Sequence, residues 1–146
     1  MQYKMRIRET VVLRVVGRVL IPFILIFALY VQFHGDFGPG GGFQAGVIFA
    51  AGFILYALIF GLDALEEVAR PRTLEVIAAL GVLLYGGVGA ASLFLHGNFL
   101  DYGVLSDHDP VHGQQLGIFL VELGVGIAVA AVMIAIFSHF AGRGRD

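Results

Sequence analysis

Apolar positions in this chain run together instead of alternating with polar ones. Four long apolar stretches stand out, near residues 11–33, 42–62, 73–95 and 113–140. Each is about the ~20 residues that a helix needs to cross a hydrocarbon core of ~30 Å. The second, FQAGVIFAAGFILYALIFGL, has no charge and almost no polar residue on any face, which suits a helix surrounded by lipid or protein. The pattern predicts an all-α integral membrane protein with four transmembrane helices, forming a single membrane domain over residues 1–146. Two loops, 34–41 and 96–112, then share one side of the membrane, and the 63–72 loop lies on the other. Asp63, Glu66 and Glu67 read as part of a solvated linker in that third loop.

The loop GPGGGFQAG raises a competing reading, because Gly40 to Ala45 formally match G-x-G-x-x-[GA], with Asp63 about 20 residues on. Its context removes the nucleotide interpretation. A dinucleotide-binding helix keeps a solvated face, and the helix here has none. The preceding RVLIPFILIFALYVQF is too long for a strand and contains Pro22, which a central strand excludes. The glycines are expected to shape a tight turn between two membrane helices, with Pro39 fixing one torsion. That turn is either a simple hairpin or a loop docked into a neighbouring subunit or lining a wet cavity.

Composition agrees: 58% of residues are hydrophobic and the mean hydropathy is +0.88, well above a soluble norm. Without cysteine there is no disulfide frame, thiolate metal site or thiol nucleophile. No nucleophile or acid pair is assembled elsewhere, so enzyme chemistry has no support, and nothing calls for a cofactor or for nucleic acid.

Charge then orients the chain. Lys4, Arg6, Arg8, Arg14 and Arg18 precede or begin the first span, Arg70 and Arg72 separate the second from the third, and Arg143 and Arg145 follow the fourth. All nine basic residues fall on one side, so the positive-inside rule puts both termini and the middle loop in the cytoplasm. Arg14 and Arg18 share a helix face and can snorkel toward headgroups. The first apolar run is too long for a signal peptide and lacks an A-x-A site, so it reads as a retained helix.

The outer side is acidic and imidazole-rich. Asp36, Asp101, Asp107 and Asp109 lie there with His34, His96, His108 and His112. Such a face attracts cations toward the membrane mouth, or it is simply what remains once the basic residues are sorted inward. DHDPVH contains metal-ligand types but no established metal signature. Asp109 before Pro110 reads as an N-cap with proline at the first helical position.

Glu122 stands apart inside the fourth apolar run. Counted from Gly113 it lies roughly 13 Å into the core, near the bilayer middle, where a carboxylate costs at least ~2.5 kcal/mol. It is a candidate for an ion or proton path, or else for a hydrogen bond between helices or subunits. Glu75 is close to Arg72 at the cytoplasmic start of the third span and reads as interfacial. Small residues recur four apart at Gly46 and Ala50, Ala57 and Gly61, Gly86 and Ala90, Gly113 and Gly117, and Gly124 and Ala128, the spacing that lets membrane helices approach closely. HGDF at His34 echoes HGNF at His96, and GFQAGVI echoes GQQLGIF, which suggests two helical hairpins in parallel repeat.

Two segments together, HGDFGPGGGFQAGVIFAAGFILYAL and HGQQLGIFLVELGVGIAVAAVMIAIF, closely resemble the B-type small subunit of the Mrp (Mnh) multisubunit cation/proton antiporters. The resemblance covers nearly the whole chain from the first span to the fourth. It implies a small membrane subunit of a large complex in the bacterial plasma membrane, exchanging cytoplasmic Na+ for external protons. The partners implied are the other antiporter subunits, two of which resemble proton-pumping subunits of respiratory complex I. The residues that match the pattern are Pro39, Gly40, Gly41, Gly42, Phe43, Gln44 and Gly46 in the outer loop and second span, and Glu122, Gly124, Val125 and Gly126 in the fourth.

Three classes of function follow. The chain is a subunit of a secondary antiporter with Glu122 on a proton or cation path, a purely structural packing subunit, or a self-sufficient homo-oligomeric proton-coupled transporter. The one-sided basic residues argue against a dual-topology dimer of the last kind.

Overall fold

The computed structural model describes residues 10–35, 40–106 and 108–144, so Asp36, Pro39 and Asp107 lie outside the described residues, as do Lys4, Arg6, Arg8 and Arg145. The described residues form five α-helices and one short 3-10 turn, with no strand among them. They are α1 (Val11–His34), α2 (Gly42–Phe60), α3 (Leu62–Val68), α4 (Pro71–Phe94), the turn Tyr102–Leu105, and α5 (Pro110–Gly142). Four of these, α1, α2, α4 and α5, are long and apolar enough to cross a membrane. The chain is a multi-pass membrane protein.

Local chemistry sets the helix ends. Asp109 accepts a hydrogen bond from the Val111 N–H at 2.9 Å, and Pro110 takes the first helical position, so α5 opens three residues before the apolar run does. Gly61, at φ 103°, stops α2 in a backbone conformation that side-chain-bearing residues rarely adopt. Pro71 opens α4, with Arg70 extended before it.

The segment between the second and third spans is more than a linker. α3 turns its acids outward, with Asp63 and Glu67 exposed, but buries Leu62 and leaves Leu65 with no exposure at all. These leucines join Ala57, Ala69, Leu74, Ala131 and Ile134 in a small core at the end of the bundle that carries the termini. A seven-residue amphipathic helix is too short to show a periodic signal in the sequence, which is why the stretch reads there as solvated.

The long helices lie in the order α1, α2, α5, α4. α1 packs against α2, α2 against α5, and α5 against α4, while α1 meets α5 only marginally. Backbones touch where glycines face each other. A Cβ on Gly81 would stand 2.7 Å from the Gly124 carbonyl oxygen, and one on Gly124 would stand 2.8 Å from the Gly81 oxygen. Gly46 meets the Gly126 oxygen in the same way. Small residues therefore draw α5 against both neighbours, as packing in lipid requires.

Other predicted stripes are used differently. Gly113 and Gly117 are covered by Tyr102 from the preceding loop, not by a helix, Gly61 terminates α2, and Gly86 has nothing within 4 Å. The large side chains of the outer helices, such as Phe23 and Ile26 on α1, stay exposed, so the apolar surface belongs to hydrocarbon or to other chains.

The echoed HGDF and HGNF segments begin in different geometries. His34 is still helical, as the last residue of α1, whereas its counterpart His96 is left-handed at φ 66°. In the second case the Gly97 N–H donates to the Ser92 carbonyl and the His96 N–H to the Leu93 carbonyl, which closes α4 with a Schellman motif.

Candidate functional site

Glu122 sits where α2 begins. Gly42, the first residue of α2, lies directly on the Glu122 backbone, so that a Cβ there would collide with the Glu122 carbonyl oxygen. The side chain extends past that contact to the glycine loop. A Cβ on Gly41 would be 3.4 Å from Oε1, and one on Gly35 would be 3.1 Å from Oε2. Gly41 has φ 140°, which favours glycine, and Gly40 is wedged beside the Val31 carbonyl, 2.8 Å from where its Cβ would be. The loop glycines thus let two segments of main chain close around one half-buried carboxylate.

This position differs from the depth counted along the sequence. That count starts at Gly113 and puts Glu122 mid-bilayer, but α5 starts at Pro110 and Glu122 is twelve residues on, about 18 Å along the axis. The turns before it pack on Tyr102 and its loop, and Phe119 stacks on Phe33 at the end of α1. Glu122 is therefore level with the N-terminal end of α2. The first N–H groups of a helix lack intrahelical partners, and its positive dipole end favours a negative charge. The Glu122 carboxylate lies beside such a helix start.

One turn further along α5, Gly126 meets Gln32 of α1. A Cβ on Gly126 would come within 2.5 Å of the Gln32 side-chain oxygen and 3.1 Å of the Gly42 carbonyl. Gln32 is 6% exposed, and its Nε2 has no hydrogen-bond partner among the described residues. It lines a cavity of about 310 Å³ that is otherwise nearly all apolar, between α1, α2, α4 and α5. Sequence reasoning missed this residue. The available signal was that Gln32 is the only amide in the first apolar run.

The other predicted site residues that are described are spread over several contacts. Gly124 packs on α4 at Gly81 and Tyr85, and Gly46 packs on Gly126 and Val129. Phe43 and Gln44 are exposed at the start of α2, although the Gln44 side-chain oxygen would lie 3.1 Å from a Cβ on Gly41. Of the acids expected on the cation-attracting face, Asp101 precedes the 3-10 turn without a side-chain capping hydrogen bond, and Asp109 caps α5. At the other end, Arg14 and Arg18 lie over the Phe60 ring, 5.8 and 5.5 Å from its centre.

Comparison with known proteins gives this geometry a context. The family described as "Domain related to MnhB subunit of Na+/H+ antiporter" matches residues 12–135. The chain is 31% identical over 134 residues to the "Putative antiporter subunit mnhB2" of Staphylococcus haemolyticus (strain JCSC1435), covering 90% of this chain and 94% of that protein. The protein of the same description from Staphylococcus aureus (strain Newman) matches with the same identity and coverage.

Proposed function

The chain belongs to the MnhB family and is a subunit of a multisubunit Na+/H+ antiporter, and we propose that within this assembly Glu122 lies on the path of a proton or cation. The assembly exchanges cytoplasmic Na+ for external protons across the bacterial plasma membrane, with both termini of this chain in the cytoplasm. The basic residues at one end of the bundle support that orientation.

The observation that carries the reading is the half-buried Glu122 carboxylate between Gly35 and Gly41, at the N-terminal end of α2. A carboxylate held there is close to the loop end of the bundle, where ions and protons from that side reach it first.

A second reading has its own observation. The surroundings of Glu122 are largely main chain of the glycine loop, so the acid also suits a purely structural role, fastening loop to helix. Substitution Glu122→Gln in the complete complex separates the two. A path role predicts loss of most Na+/H+ exchange in everted membrane vesicles at unchanged complex abundance. Full exchange at that abundance would leave only the structural role. The self-sufficient homo-oligomer is not favoured, since the relatives carry the name of a subunit.

A further inference from the structure

Two cations share one ring at the end of the bundle that carries the termini, far from Glu122 and independent of its role. The Arg14 and Arg18 guanidinium groups stand 5.8 and 5.5 Å from the centre of the Phe60 ring. Packing puts them there. Gly17, between the two in sequence, has no side chain to hold off Ile59, so α1 closes on α2 at this level and both arginines come over the last residue of α2. Both side chains are exposed, and neither guanidinium makes a hydrogen bond or an ion pair among the described residues, the acids of α3 included. The ring face attracts each cation, but it neither cancels the repulsion between them nor gives their N–H groups acceptors.

We propose that Arg14, Arg18 and Phe60 form a binding site for an anionic phospholipid, whose phosphodiester bridges the two guanidinium groups and whose acyl chains lie along the exposed apolar side of α1. A phosphodiester supplies what the pair lacks. Its two non-bridging oxygens accept charge-assisted hydrogen bonds from the planar guanidinium forks, and one negative charge between two positive ones offsets their repulsion. The pair also sits where headgroups do, in the first two turns of a spanning helix, and basic residues between helices at that level suit anionic headgroups. The neighbouring surface selects a lipid over a soluble phosphate. Val15, Val19 and Ile26 are exposed on the adjoining stripe of α1, so the pair opens toward hydrocarbon and its anion arrives with acyl chains attached.

The chain contains no tryptophan, so Val19→Trp provides a unique fluorescent reporter beside the pair. The full chain carrying it is reconstituted in vesicles of phosphatidylcholine with a minor fraction of phosphatidylglycerol, and each lipid in turn is brominated so that it quenches the tryptophan on contact. The expected result is a binding constant for phosphatidylglycerol well above that for phosphatidylcholine. Arg14→Gln and Arg18→Gln should each lower that ratio about five-fold at unchanged helical circular dichroism. Arg143→Gln removes a cation that sits on Phe140 instead, and should leave the ratio as it was. A ratio near one in the starting chain, or an equal fall in the Arg143 variant, would overturn the site. Relief of the quenching by inorganic phosphate would also overturn it, by assigning the pair to a soluble anion. In the purified complex, the chain with both arginines replaced by glutamine should retain less phosphatidylglycerol at equal subunit content. Unchanged lipid there would show another subunit over the pair and would reject the lipid as its occupant.

Discussion

Gly42 and Glu122 meet backbone to backbone, and this contact fixes the level of α2 against α5. Because Gly42 is the first residue of its helix, the same contact puts the Glu122 carboxylate at a helix N-terminus and against the loop that leads into it. Position along one helix and chemistry of one acid are therefore set together.

Gly42→Ala should separate α2 from α5. The added methyl meets main chain, which cannot rotate away, so the expected cost is about 1–3 kcal/mol. Gly86→Ala is the matched control. Nothing lies within 4 Å of the Gly86 position, and alanine is the better helix former by up to ~1 kcal/mol. Thermal melting of the purified chain in detergent should show the first variant less stable and the second unchanged or more stable. Equal melting of the two would discount the contact.

His96 occupies the left-handed position of the Schellman motif that ends α4, where glycine is usual. His96→Gly removes that strain and should raise stability by roughly 0.5–1 kcal/mol, whereas His96→Val should lower it. The readout is the melting temperature of the two variants against the unsubstituted chain. A destabilised glycine variant would mean that the imidazole contributes more than its backbone costs.

Phe60 carries two cations on one ring. Replacing it with leucine keeps an apolar side chain but removes the ring face from both Arg14 and Arg18, at an expected cost of about 0.5–1 kcal/mol for each exposed pair. Phe60→Tyr should retain most of it. Protease access to the start of α1 in sealed vesicles, compared across the three forms, checks the effect. Identical cleavage of the leucine and phenylalanine forms would show that headgroups alone hold the arginines.

Much of the fold was legible in the sequence. Runs of about twenty apolar residues have few alternatives, since only a helix satisfies its own backbone in hydrocarbon. The Asp109 cap was legible for a similarly local reason, its partner being the N–H two residues on. The candidate site was legible only in part. Glu122 was visible as an acid in an apolar run, but Gln32 was not singled out, because an amide near a helix end becomes significant only once neighbouring helices bury it.

The sequence by itself therefore determined what a single segment can satisfy alone: four spanning helices, their caps, and the sorting of basic residues to one end. Tertiary structure decided the order α1, α2, α5, α4, the burial of Leu65, the covering of Gly113 and Gly117 by Tyr102, and the level of Glu122 against Gly42. Those outcomes depend on which small residues of separate helices come face to face. In a chain with 21 glycines many registers offer small residues to one another, and only the packed whole selects the one in which all the contacts close together.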